Sequence, residues 1–270
     1  MSGAAQTLHG WALILGASSG FGQATSLALA RRGLHIFGVH LDRKATLGNV
    51  DRLVQSIRDF GREAVFFNVN AADPEKRQEV LDQATRILAD RGEPGAVSVL
   101  LHSLAFGALR PFIADDPQQA LTSSQLEMTL DVMANSLVYW TQDLVRRKLM
   151  GPGGRIFAMT SSGGSHVWPT YGAVSAAKAA LESHIRQLAF ELAPHKVTAN
   201  AIRAGVTDTP ALRKIPGSDN LVKGALAKNP HGRLTTPEDV AEAIAELCES
   251  GTAWMTGNTI GVDGGEELTG

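Results

Sequence analysis

WALILGASSGFGQATSLALARRG, residues 11–33, decides the fold. Trp11–Gly16 is apolar throughout, as a strand covered on both faces requires. Glycines at 16, 20 and 22 then break the run, and an alanine- and leucine-rich helix continues to Gly33, where a glycine stops it. The pattern recurs along the chain. Short apolar runs at His35–His40, Ala64–Val69, Val97–His102, 153–161, 196–202 and 258–265 read as further strands. Helical periodicity fills roughly 50–60, Pro74–Arg91, Ser123–Leu149, Thr170–Leu192 and Pro237–Cys248. Strands alternating with helices from start to end predict one α/β domain over residues 1–270, doubly wound on a mostly parallel seven-stranded sheet. No internal repeat or linker interrupts it. The least regular stretch, about 206–233, holds Pro210, Pro216, Gly217, Gly224 and Pro230 and is expected to be a flexible substrate lid.

Composition narrows the function. The chain has 270 residues, 44% hydrophobic and 19% charged, enough apolar material for one large core. A net charge of −2 gives no pull toward nucleic acid or an anionic membrane. No apolar run nears the ~20 residues that span a bilayer, and the opening MSGAAQTLHGW lacks the regions of a signal peptide. The single cysteine, Cys248, excludes an intrachain disulfide and fits a reducing, cytoplasmic compartment. His102, His166, His184 and His195 have no metal-ligand spacing, so no metal is expected.

The glycine turn carries the first chemistry. Gly16, Gly20 and Gly22 let the backbone approach a pyrophosphate at a helix N-terminus, with Ser18 and Ser19 as hydroxyl donors and Phe21 between them. At the end of the second strand, where an acid would bind the 2′-hydroxyl of NADH, stands His40, followed by Asp42, Arg43 and Lys44. Arg43 and Lys44 accommodate a 2′-phosphate, so NADPH is the preferred form and NADH the alternative. Asn70 and Ala71, after the third strand, are expected near the adenine.

The motifs GASSGFG, FNVN, LLHSLAFG, MTSSGG, YGAVSAAK, NAIRAG and TGNTIGVDGG together resemble the short-chain dehydrogenase/reductase family over nearly the whole chain, a Rossmann fold. Within it the chain looks most like the divergent enoyl-acyl carrier protein reductases. Ordinary members place a tyrosine four residues before a lysine; here that position is Val174, and Tyr171 stands seven before Lys178, as in the divergent branch. HSLAFG, His102–Gly107, is the enoyl reductase form, and Met133 replaces the ordinary catalytic asparagine. Ser161 departs from the branch: many members carry a second tyrosine there, whereas ordinary members keep a serine. The resemblance implies Tyr171, Lys178 and Ser161 as catalytic residues. It also implies Ser103, Leu104, Ala105, Gly205, Val206, Thr207 and Thr209 as cofactor contacts, with Lys178 on the nicotinamide ribose hydroxyls and Phe106, Ser161 and Tyr171 facing substrate.

A helical tyrosine and lysine seven apart also describe a packed ring and a solvated amine. The displacement nevertheless has a chemical use. Positions 171, 174 and 178 lie nearly on one helical face, and moving the phenol from 174 to 171 shifts it about one turn, roughly 5 Å. In carbonyl reduction the acid must stand beside the carbon that takes hydride. In enoyl thioester reduction charge collects on the distant thioester oxygen, so a donor one turn away suits it. The reading is therefore reduction of the trans-2 double bond of enoyl thioesters, probed against two alternatives: a carbonyl or 3-ketoacyl reductase, and a non-catalytic NAD(P)-binding module. Arg213, Lys214, Lys223, Lys228 and Arg233 make the lid basic, which describes a solvated face and also a docking place for an acidic acyl carrier protein, the partner the resemblance implies. By resemblance, alanine-rich helix faces pair copies into a homotetramer.

Overall fold

A computed structural model describes residues 7–269; the opening MSGAAQ, read above as part of no signal segment, lies outside them. The strands are β1 (Trp11–Leu15), β2 (His35–His40), β3 (Ala64–Asn68), β4 (Val97–His102), β5 (Arg155–Thr160), β6 (Thr198–Ala204) and β7 (Thr259–Val262). They form one sheet in the order β3-β2-β1-β4-β5-β6-β7, every pair parallel. The chain builds outward from β1 to β3, then returns to lay β4 on the other side of β1. That reversal opens a crevice at the carboxyl ends of β1 and β4, the place where doubly wound sheets bind ligands.

Alternation along β1 explains the two layers of core. Trp11, Leu13 and Leu15 pack with Phe37, Trp140, Leu181 and Ile185 on one face. Ala12 and Ile14 pack with Leu29, Ile36, Phe157 and Ile244 on the other. Helices α1 (Gly20–Arg31), α2 (Leu47–Asp59) and α8 (Pro237–Glu246) cover the second face; α3 (Pro74–Asp90), α5 (Ser136–Arg146) and α6 (Gly172–Glu191) cover the first.

Two predicted elements differ in detail. The helix expected over Ser123–Leu149 is α4 (Ser123–Leu130), a π-helical turn at Asp131–Asn135, and α5. The wider turn brings the Ser136 hydroxyl to the Val132 carbonyl, at 2.8 Å. The irregular stretch holds a single 3₁₀ turn (Leu212–Lys214) and an eleven-residue helix, α7 (Ser218–Lys228). Its prolines and Gly217 lie outside that helix, and only Gly224 interrupts it, so the density of breakers hid a regular element. No helix among the described residues is long and apolar enough to cross a membrane.

Candidate active site

The glycine turn is built for close approach. A Cβ on Gly22 would lie 2.1 Å from the Gly16 carbonyl oxygen, so only glycine lets α1 start this near β1. Gly16, at φ 87°, packs as tightly against β4: its Cβ would lie 2.4 Å from the Ser103 carbonyl. Ser103 in turn donates its N–H to the Leu15 carbonyl at 2.9 Å, and Leu104 lies against Gly16. These contacts place the turn and the Ser103–Ala105 segment on the two lips of the crevice.

The start of α1 is left open to an anion. Ser19 makes no side-chain cap bond and the first turn has no acidic residue. By contrast α3 is capped by Asp73 and α8 by Thr236. An uncapped helix start, with its dipole and unsatisfied N–H groups facing a glycine turn, fits a pyrophosphate. Thr209 stands over it, its methyl 3.4 Å from where Gly20 would carry a Cβ. Phe21 is partly buried against the core of the second face.

At the end of β2, His40 is buried and its Nδ1 lies 2.9 Å from Asp42 Oδ2. Asp42 Oδ1 accepts from Thr46 at 2.6 Å. Burial alone would raise the Asp42 carboxyl; hydrogen bonds from Ser18, Thr46 and His40 outweigh it and hold it low. An ionised carboxylate is thus tied to the glycine turn through Ser18, while Arg43 and Lys44 are exposed beside it.

The other half of the site gathers around the short turn Ser162–Gly164 after β5. A Cβ on Gly163 would meet the Tyr171 ring at 2.5 Å and Ser161 Oγ at 3.0 Å, so phenol ring and hydroxyl share one glycine. A Cβ on Gly164 would lie 3.5 Å from the Lys178 Cβ and 3.7 Å from Glu182 Oε1. The three residues expected to be catalytic therefore converge on one loop. Lys178 is 5% exposed and donates Nζ to the Met159 carbonyl at 2.7 Å. Burial lowers its pKa to about 8, with the nearby Glu182 charge opposing. Burial raises the Tyr171 phenol, with a hydrogen bond from the Ser161 hydroxyl opposing, so it stays protonated. Val174 sits in a small core with Met133 and Ala177, which leaves no room for a tyrosine at the ordinary position.

One expected placement is corrected, and the other expected residues have defined settings. Tyr171 does not ride on the helix: it is the N-cap of α6, at φ −91° and ψ 0°, and follows Thr170 at φ 64°. A β-branched residue in the left-handed region is strained, by about 1–3 kcal/mol. The Val206 N–H is bonded to both Glu266 carboxylate oxygens at 3.2 Å, which leaves its carbonyl for a ligand. Thr207 is buried and donates to the Gly205 carbonyl at 2.9 Å. Asn70 accepts from its own turn at Ala72. Ala71 is buried, with its carbonyl taken by the Trp140 indole at 2.8 Å. Phe106 is 61% exposed, at the mouth segment rather than in the core. Gly205 is held against Thr235 and Glu266.

The sequence reading missed Glu182, whose carboxylate accepts from Thr160 at 2.7 Å and so ties the end of β5 to α6. Its spacing of four from Lys178 was the available signal. It also missed Thr170 at φ 64°; Pro169 signals a turn, but proline at its second position suits right- and left-handed third residues alike, and a threonine gives no sign of the left-handed one. Two of the five cations in the 206–233 stretch are already paired, Arg213 with Asp208 and Arg233 with Asp239.

Known proteins are similar to this chain in sequence and in fold. A family model described as enoyl-(acyl carrier protein) reductase matches residues 16–267. A 1-cyclohexenylcarbonyl-CoA reductase of Streptomyces collinus is 29% identical over 94% of this chain and 85% of its own. A 3-oxoacyl-(acyl-carrier-protein) reductase of Thermotoga maritima is 27% identical over 94% and 96%. The crystal structure of an enoyl-(acyl-carrier-protein) reductase (NADH) from Aquifex aeolicus VF5 superposes with a TM-score of 0.80 at 25% identity, covering 97% of each chain.

Proposed function

The chain belongs to the short-chain dehydrogenase/reductase family, and on that premise we propose that it reduces the trans-2 double bond of enoyl thioesters with NAD(P)H. The observation that carries the reading is the pairing of Tyr171, off the start of α6, with a buried Val174 where the family's ordinary tyrosine would stand. The reduced nicotinamide, when bound, would supply hydride to C3 of the substrate, and a proton from water completes the reduction at C2. What the protein must then do is hold the negative charge that collects on the thioester oxygen. Tyr171 donates a hydrogen bond to that oxygen from a phenol that burial keeps protonated. Lys178, cationic below about pH 8 and sunk in the protein, stabilises the same anion through space. Thr160 and Glu182 hold the β5 end against α6, so Ser161 and Lys178 keep a fixed separation.

The cofactor fits the uncapped start of α1 and the crevice beside it. Asp42 is placed to accept a ribose 2′-hydroxyl and Arg43 to meet a 2′-phosphate; in our reading the site takes both forms, and Asp42→Ala raises the NADPH preference about tenfold. The thioester is carried by acyl carrier protein, as in fatty acid synthesis, or by coenzyme A, and the working unit is a homotetramer in the cytoplasm. Two relatives are named for unsaturated or acyl-carrier substrates of these classes. Ser161 favours a second reading, reduction of a 3-ketoacyl thioester, because its hydroxyl reaches Tyr171 as a carbonyl contact would require.

Cofactor oxidation measured with a trans-2-enoyl thioester, a 3-ketoacyl thioester and no substrate separates the readings. Turnover on the enoyl substrate at least about tenfold above the ketoacyl one is expected. The reverse ratio replaces the proposal with ketoreduction, and no turnover on either leaves a nucleotide-binding module.

A further inference from the structure

Tyr171 is held from two sides: its carbonyl accepts the Ser175 N–H at the start of α6, at 2.8 Å, and its own N–H closes a turn. It is the last residue of a four-residue turn, Trp168-Pro169-Thr170-Tyr171, closed by the Tyr171 N–H to the Trp168 carbonyl at 3.1 Å. Pro169 occupies the second position and Thr170, at φ 64°, the third, where glycine or asparagine is favoured. Thr170 is poorly suited to the place in a second way: its hydroxyl is buried with no hydrogen-bond partner. A turn strained in backbone and unsatisfied in side chain relaxes unless something outside it holds it.

The other end of the turn shows what holds it. The Trp168 indole N–H donates to the Pro216 carbonyl at 3.3 Å. Pro216 and Gly217 lead directly into α7, and the Trp168 ring lies 3.7 Å from where Gly217 would carry a Cβ. The lid segment and the phenol thus hang on opposite ends of one turn, while the phenol ring rests on Gly163.

We propose that the Trp168–Tyr171 turn couples seating of the lid to placement of the Tyr171 phenol, with Trp168 and Thr170 as positioning residues. When α7 is seated, the Pro216 carbonyl holds the indole, the turn keeps its left-handed Thr170, and the phenol stays over Gly163. When the lid lifts, Thr170 is free to leave the left-handed region and the phenol moves off the loop that carries Ser161. The value of this coupling to turnover rests on the function proposed above; the coupling itself does not.

The chain has two tyrosines, Tyr139 and Tyr171. In a Tyr139→Phe background, phenolate absorbance against pH therefore reports Tyr171 alone, without cofactor or substrate. Trp168→Phe keeps the ring and removes the indole N–H. It is expected to bring the Tyr171 titration down by about one pH unit as the phenol meets water. Adding Thr170→Asn, which tolerates the left-handed backbone, is expected to return the titration to that of the Tyr139→Phe protein. On a trans-2-enoyl thioester, Trp168→Phe lowers kcat about tenfold and moves KM much less, and the same asparagine restores kcat. A Trp168→Phe titration that does not move, or a shift that Thr170→Asn leaves in place, overturns the coupling. A parent protein that reduces no enoyl thioester overturns the proposed function instead, since the titration is read without turnover.

Discussion

The two ends of the first half of α6 place their chemistry by opposite means. Lys178 lies within the helix, nearly fully buried, its ammonium fixed on the Met159 carbonyl and its neighbour Glu182 tied to Thr160. Regular structure sets it. Tyr171 lies just outside the helix, set by a strained turn, a glycine under its ring and a tryptophan bonded to the Pro216 carbonyl. The charge is placed by secondary structure and is hard to move. The phenol is placed by a turn, and its setting is the more easily moved of the two.

Mutations should expose that difference. The largest effect is expected at the rigid end: Lys178→Ala lowers kcat/KM by about 10³-fold, because a preorganised cation is lost. It also weakens nicotinamide binding by about tenfold, measured by cofactor fluorescence titration. Cofactor affinity equal to wild type would confine Lys178 to the acyl end. Next is the attempt to make the two ends alike. Val174→Tyr restores the ordinary spacing but forces a ring into the core of Met133 and Ala177. It should cost about 1–3 kcal/mol, read as a lower midpoint in urea unfolding, without raising ketoreduction. A variant as stable as wild type would mean the small core has room for a ring.

The smallest effect concerns pH. With a Lys178 pKa of about 8, the cation is present below that value and lost above it. Turnover should therefore fall as pH rises through about 8, while the raised phenol of Tyr171 contributes no break there. Glu182 favours the charged lysine, so Glu182→Gln should move this falling limb to lower pH, by less than about one unit. A kcat–pH profile flat from 7 to 10 would show that the lysine charge is not used.

Legibility in the sequence followed the same division. The β1–turn–α1 unit, the parallel sheet and the crevice were readable because apolar runs, glycine spacing and helix period are local signals. Lys178 was readable for the same reason. Tyr171 was found by counting, yet its true setting was not, since a helix start shifts by one residue on the strength of a turn. Glu266 at the Val206 N–H joins residues sixty apart, and no local pattern announces it. Helix α7 was obscured because prolines and glycines flank it on both sides, and the same residues serve as its boundaries.

The central claim is that the displaced phenol stabilises charge on the thioester oxygen. Steady-state kinetics of Tyr171→Phe with a trans-2-enoyl thioester test it most directly, together with the cofactor Kd. The account predicts a kcat lower by about 10²–10³-fold with cofactor affinity within about twofold of wild type. A kcat equal to wild type would contradict it, and would assign the oxygen to another donor.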